Sequence, residues 1–247
     1  MIEDSALLDA TAVGRFAESS EVITIFLDES GTDANSKVEL VGAVAVPEAA
    51  VLEQGVVRCH ADVLADPVLW PDEAKRSAFR AKGFHFVDDS AGVRERFMNK
   101  MRTLGFRAHV AYSKGDSGVS GADLRINMYY TLLRNLALRY RTEQLLCVFE
   151  EESSMNSLYG RIVATVKADA EQAAGCPVEI SGAIGSKRDP GLAVTDYVLA
   201  AASAVLADKP NPFEWSRVNL GLPAHIAHLV EYDHGVHRRA RSGLPLL

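Results

Sequence analysis

Three groups of acidic residues are distinguished by where they fall. Asp28 and Glu29 close an apolar, β-branched run at residues 21–27 (EVITIFL), and Glu150, Glu151 and Glu152 close another at residues 144–149 (QLLCVF). Asp196 lies inside an otherwise apolar stretch, LAVTDYVLAAASAVLA. An acid at the end of a strand is ordinarily a solvated loop residue, but acids at the ends of two adjacent strands would lie close together. Like charges at that distance raise one another's pKa and strain the protein unless a cation is bound. Hard oxygen donors that leave room for water suit Mg²⁺ or Mn²⁺. Asp196 needs a partner for a different reason. Asp189 and Pro190 form a helix start, as N-cap and first helical residue. Asp196 then sits nearly two turns in, past the reach of the helix dipole. A lone carboxylate among Ala, Val and Leu is costly to bury, so a metal facing the sheet, or an arginine, should answer it.

The elements that must position these residues follow from periodicity. Residues 21–27 and 38–46 read as two strands joined by a turn at 31–36 (GTDANS), which makes an antiparallel hairpin. Residues 47–64 have helical spacing, 66–82 are charged and irregular, and 92–104 are helical again. Residues 105–112 alternate like a strand, and 123–141 form a long helix. The continuous apolar run at 144–149 marks a strand covered on both faces, as in a parallel pair. A helix at 156–173, a fifth strand at 177–184 and a helix at 190–206 complete the pattern. The expected fold is α/β: a mixed five-stranded sheet with helices on both faces and a helical insertion, about 47–90, after the second strand. This succession resembles the ribonuclease H superfold, in which the first and fourth strands are parallel neighbours at the sheet centre. The expected organisation is an N-terminal arm or helix at 1–20, the domain at 21–207, and a Pro- and His-rich C-terminal extension at 208–247.

Length and composition agree with one domain. The chain has 247 residues, 48% of them apolar, which is enough for a sizeable core. The sequence shows no membrane-spanning run and no secretory signal at its start. Cys59, Cys147 and Cys176 are odd in number and lack metal-ligand spacing, which fits a reducing, cytoplasmic setting. The net charge of −7 argues against a protein that coats nucleic acid, so any such contact must come from local basic patches.

Four segments together resemble a bacterial family, the domain-of-unknown-function family 3800: FLDESG at 26–31, GFHF at 83–86, FEEESS at 149–154 and SKRDPGLAVTDYVL at 186–199. The resemblance covers about residues 21–206 and rests on the order of the motifs more than on any one of them. It implies a ribonuclease H-like fold, with Asp28 and Asp196 as metal ligands, an acid at Glu150 or Glu151 as a third, and Glu29 as a further ligand. The chain departs from the family pattern at Ala193, where the family has Gln, and in having three Glu residues after the fourth strand, where an Asp is common. Glu150 and Glu152 point to one side of a strand and Glu151 to the other. Glu150 is preferred because it stands at the same offset after its apolar run as Asp28 does after its own.

Further candidates are His85, which would orient a phosphate or a water, and Lys187, which would neutralise a phosphate near the metals. His225-x-x-His228 and His234-x-x-His237, with Asp233 between, have metal-like spacing, but no cysteine accompanies them and a zinc site is not expected. Arg238, Arg239 and Arg241 form a basic end, and Lys75, Arg76, Arg80 and Lys82 form a basic run that would flank the site. The leading expectation is a metal-dependent nuclease acting on nucleic acid. Asp28 would bridge two ions about 3.5–4 Å apart, with Glu150 and Asp196 each holding one. A catalytically inactive binding module on the same fold, and a phosphohydrolase of free nucleotides, are the alternatives. A homodimer or a partner protein is left open.

Overall fold

The computed structural model describes residues 21–31, 38–115, 118–206, 225–233 and 236–238. The expected arm at 1–20 and most of the C-terminal extension lie outside the described residues. The apolar run that begins at Val22 forms the central strand, β1 (Val22–Ser30). It pairs antiparallel with β2 (Glu39–Val46) and parallel with β4 (Gln144–Glu150). β2 pairs antiparallel with β3 (Arg107–Ser113), and β4 pairs parallel with β5 (Glu179–Gly185). The first five strands therefore lie in the order β5-β4-β1-β2-β3, the ribonuclease H arrangement expected from the sequence.

Among the described residues the sheet has seven strands rather than five. β6 (Ile226–Glu231) pairs parallel with β3, and β7 (Val236–Arg238) pairs antiparallel with β6. Both come from the segment read as an extension. β6 is only six residues long, IAHLVE, without strict alternation, too short a run to signal a strand alone.

Helices cover both faces. Between β2 and β3 lie α1 (Ala49–Ala65), a short 3₁₀ turn (Pro67–Leu69), α2 (Glu73–Lys82) and α3 (Ala91–Met101). The 66–82 segment is thus helical over more than half its length. Asp72 caps α2 by accepting the Ala74 N–H at 2.8 Å, with Glu73 in the first turn and Arg80 and Lys82 in the last. Phe79 is its one buried residue, so the helix has end signals but no apolar stripe. α4 (Gly121–Arg139) precedes β4, α5 (Asn156–Ala174) precedes β5, and α6 (Pro190–Leu206) follows it. One core joins Phe26, Leu40, Val44 and Val110 to α1, α3 and α6; the other joins Ile25, Leu27, Val41 and Phe149 to α4 and α5. Among the described residues no helix is long and apolar enough to cross a membrane.

Two glycines fix the centre. Gly31 ends β1 with φ +78°, and a Cβ there would lie 2.1 Å from the Val38 carbonyl oxygen. Gly191, in the first turn of α6, lets the helix settle on β1: a Cβ there would lie 2.3 Å from the Phe26 ring. One turn on, the buried Thr195 hydroxyl donates to the Gly191 carbonyl at 3.0 Å and the Phe26 carbonyl at 3.3 Å, tying helix to strand. Alanine is the better helix former by roughly 1 kcal/mol, so an open position would gain from Gly191→Ala. The expected outcome here is a loss of about 1–3 kcal/mol, because the ring cannot yield without moving the core. Chemical denaturation of the two proteins measures the sign.

Candidate carboxylate site

Strand alternation decides which acids meet. Asp28 shares a face with Phe26 and so turns toward α6, and it is only 7% exposed. The parallel register sets Leu27 beside Phe149, which brings Glu150 alongside Asp28. The Asp28 and Glu150 carboxyls are in hydrogen-bonding contact. Burial pushes the Asp28 carboxyl well above its usual range. The contact with Glu150 adds to this, as do the charges of Glu150, Asp196 and Glu29. Asp196 faces the pair from α6, and its Oδ2 accepts the Phe86 N–H at 2.8 Å. Burial raises the Asp196 pKa and the charge of Glu150 adds to the rise; the Phe86 N–H and the nearby His85 oppose it. Lys187, in the turn before α6, places Nζ 3.1 Å from Glu150 Oε1. Its own pKa is raised: partial burial favours the neutral amine, but the Glu150 contact and the charges of Asp28 and Asp196 outweigh it.

Two of the expected ligands stand elsewhere. Glu29 faces the opposite side of the sheet. There it accepts the Tyr129 hydroxyl and lies 3.5 Å from Arg125, whose Nε is 3.5 Å from Glu39. Its pKa is raised by burial against the opposing effect of Tyr129 and Arg125. Glu151 is exposed, and its backbone N–H continues the ladder to β5 by donating to the Gly185 carbonyl at 3.0 Å. Glu152 turns back to accept the Ser154 N–H at 3.1 Å and its hydroxyl at 2.9 Å, which holds its pKa down. Glu150 thus lies on the Asp28 side of the sheet, and Glu29 and Glu151 do not.

The GFHF segment acts through its backbone and its rings. Phe84 stacks on Phe97 with centroids 3.9 Å apart, Phe86 supplies the N–H to Asp196, and Arg94 lies over the Phe86 ring at 4.4 Å. The His85 ring points to Asp88, with Nδ1 3.4 Å from Oδ2 in a geometry too poor for a hydrogen bond. Asp89, which the sequence reading passed over, does more. Its Oδ2 accepts the His85 N–H at 3.0 Å and the Tyr197 hydroxyl at 2.5 Å. The Asp89 carboxylate therefore clamps the loop that feeds Phe86 to the helix that carries Asp196. A fully buried tyrosine needs a partner for its hydroxyl, so Tyr197 was the available signal. Arg125, four residues before Tyr129 on α4, was signalled only by that spacing. Asp189 occupies the N-cap position of α6, its carbonyl accepting the Ala193 N–H at 3.1 Å. Its side chain closes the preceding turn instead, taking the Ser186 N–H at 2.7 Å.

Of the histidine pattern, the described side chains are His225 and His228, with Asp233. His225 stacks on Phe106, His228 lies edge-on to His109, and Asp233 accepts the Ser113 hydroxyl and the Lys114 N–H. His234, Arg239 and Arg241 lie outside the described residues, as do the side chains of His237 and Arg238. Cys147 is a core residue, its thiol pushed up to about 12 by burial.

Among the described residues no three His, Cys, Asp or Glu side chains are grouped tightly enough to hold an ion. The donor chemistry nevertheless fits a hard divalent cation. Two desolvated carboxyls already touch, a third faces them, and the third keeps Oδ1 free of hydrogen bonds among the described residues.

No model of a protein family matches the chain, and no curated protein does. Among solved structures it is similar to the PCNA:RNase HII complex from Archaeoglobus fulgidus, at 12% identity and TM-score 0.43 over 76% of this chain and 75% of that one. It is also similar to ribonuclease H2 from Pyrococcus horikoshii OT3, at 12% identity and TM-score 0.42 over 78% and 77%. The fold assignment rests on the strand order rather than on these overlaps.

Asp89 generates a prediction about pH. Burial, partly offset by the Tyr197 and His85 bonds, raises its pKa to about 6. In the unfolded chain the value is about 3.9. The folded state therefore holds a proton that the unfolded state has lost, and stability falls as pH rises from about 4 through 6. Asp89→Asn keeps an acceptor oxygen and removes this proton. In chelator, the stability of the variant relative to wild type should rise by on the order of 2 kcal/mol between pH 4 and pH 7. A constant difference across that range would show that Asp89 does not carry the proton.

Proposed function

We propose that this chain is a divalent-metal-dependent nuclease acting on RNA or DNA, and that it belongs to the family 3800 it resembles. The observation that carries the reading is the buried contact of Asp28 with Glu150, with Asp196 facing it from α6. Three acids from three separate segments of the chain are brought to one face of the sheet at the cost of desolvation and repulsion, an arrangement with no structural return of its own. Bound Mg²⁺ or Mn²⁺ would supply Lewis acidity and a more acidic water. Asp28, Glu150 and Asp196 would together hold the metal.

The chain's own residues do the rest. The Phe86 N–H fixes the Asp196 carboxylate by one oxygen and leaves the other for a ligand. Lys187, 66% exposed beyond its contact with Glu150, can transfer its ammonium to an incoming phosphate once the carboxylates are neutralised. The apolar surroundings of Asp28 exclude water from the back of the site, which strengthens every interaction on its front.

Two expected outcomes test this reading. Purified protein should cleave at least one of single- or double-stranded RNA, DNA or hybrid with Mg²⁺ or Mn²⁺, and Asp28→Asn should abolish that cleavage. Hydrolysis confined to free nucleotides would assign the site to a nucleotide phosphohydrolase, and inactivity on every substrate would favour a binding module. In melting experiments with chelator, Asp28→Asn should be the more stable protein, by on the order of 1 kcal/mol, because its amide can donate to Glu150 where the carboxylate repels it. Saturating Mg²⁺ should raise the Tm of wild type and leave that of the variant nearly unchanged. A variant that melts lower in both conditions would make Asp28 a structural residue.

A further inference from the structure

A cavity of about 200 Å³ opens beside the carboxylates, lined by residues of α1, α2 and the start of α6. Its lining includes Arg80, Lys82, Lys187 and Arg188 and no carboxylate. In a chain of net charge −7 this is the reverse of the average surface. The cations are weakly engaged. Lys82 with Asp88 at 2.8 Å and Arg80 with Glu73 at 4.0 Å are exposed pairs, which contribute little in water. Arg188 bonds among the described residues only through its backbone N–H, to Ser186 Oγ at 3.3 Å. The remaining lining is largely apolar and aromatic, with Val57, more than half exposed, next to His60 and Phe84. Lys187 joins the cavity to the site through its 3.1 Å contact with Glu150.

We propose that this cavity binds one nucleotide unit of a single nucleic-acid strand, its phosphate on Arg80, Lys82 and Arg188 and its base against His60 and Val57. The proposal rests on the nuclease reading for its substrate and adds the strand's path past the carboxylates. Arginine forks match phosphate oxygens, and an apolar aromatic wall takes the face of any base. A hollow of this size admits a base splayed out of a stack, whereas the bases of a duplex stay stacked and paired.

The test is binding, measured by fluorescence anisotropy with the full chain in chelator, so that no cleavage is needed. The probes are fluorescein-labelled single-stranded RNA and DNA oligonucleotides and the matching duplexes. Arg80→Ala/Arg188→Ala should weaken single-strand binding about tenfold and reduce the log–log salt slope by up to about 0.7, the contribution of the one phosphate they hold. His60→Ala should weaken binding several-fold at an unchanged slope, the mark of lost stacking rather than lost charge. Arg161→Ala, on α5 across the sheet, should change neither. Absence of binding overturns the proposal, as does a double variant that binds like wild type or an Arg161 variant that loses as much. Equal affinity for duplex overturns the single-strand assignment, and a nucleoside monophosphate whose binding alone depends on Arg80 and Arg188 overturns the strand in favour of the free nucleotide. Binding that depends on the cavity without cleavage by the metal-loaded protein would leave this proposal standing and remove the nuclease reading. Cleavage by a protein whose binding ignores the cavity would do the opposite.

Discussion

The Asp28 carboxyl is held out of water against the Glu150 carboxyl, and much of the surrounding structure can be read as what makes that tolerable. Burial and the neighbouring carboxyls push the Asp28 pKa well up, a cost that a bound cation would relieve. Lys187 supplies part of the compensation from the solvent side. The Phe86 N–H supplies another part at Asp196, where a backbone dipole stands in for a charge. Neither would be in place without the seat of α6 on β1. That seat depends on the missing side chain of Gly191 and on the Thr195 hydroxyl bonded to the Phe26 carbonyl.

The same strand carries a second ionic group, one residue later and on the other face. Glu29 is closed in by Tyr129 and Arg125, and Arg125 also reaches Glu39 on β2. The two clusters differ in kind. Behind the sheet, a buried acid has a hydroxyl bonded to it and a guanidinium at ion-pair distance. In front of it, among the described residues, three acids share the Lys187 ammonium and two backbone N–H groups, those of Glu29 on Asp28 and Phe86 on Asp196. A period of two along an extended chain is enough to give adjacent acids these different environments.

How far this was legible follows the physics of each signal. The five core strands and most of the helices came from apolar periodicity because burial on one or both faces dictates it. Asp28, Glu150 and Asp196 were legible because each breaks an apolar run, and the offset of Glu150 matched that of Asp28. Glu29 stands on the other face from Asp28, an alternation that a motif written as adjacent letters hides. α2 was missed because its order comes from its ends, Asp72 in front and Arg80 and Lys82 behind, rather than from a buried stripe. β6 was missed because it is short, lacks strict alternation and joins the sheet at the far side of β3. Asp89 was the least legible, since its role depends on a tyrosine more than a hundred residues away.

That last residue changes how the insertion after β2 is to be understood. As a decoration on a five-stranded frame, it would be expected to pack on the sheet and end. Instead its loop at 83–89 is tied to α6 at two points, by the Phe86 N–H on Asp196 and by the Asp89 carboxylate on Tyr197. Phe84 fills the space between them, stacked on Phe97 and edge-on to Tyr197. The bonded residues on α6 are neighbours in sequence, so the two contacts together restrain both the rotation and the depth of the helix at the point where its carboxylate meets the strand. The three acids come from the ribonuclease H core, but the precision with which one of them is aimed comes from the insertion.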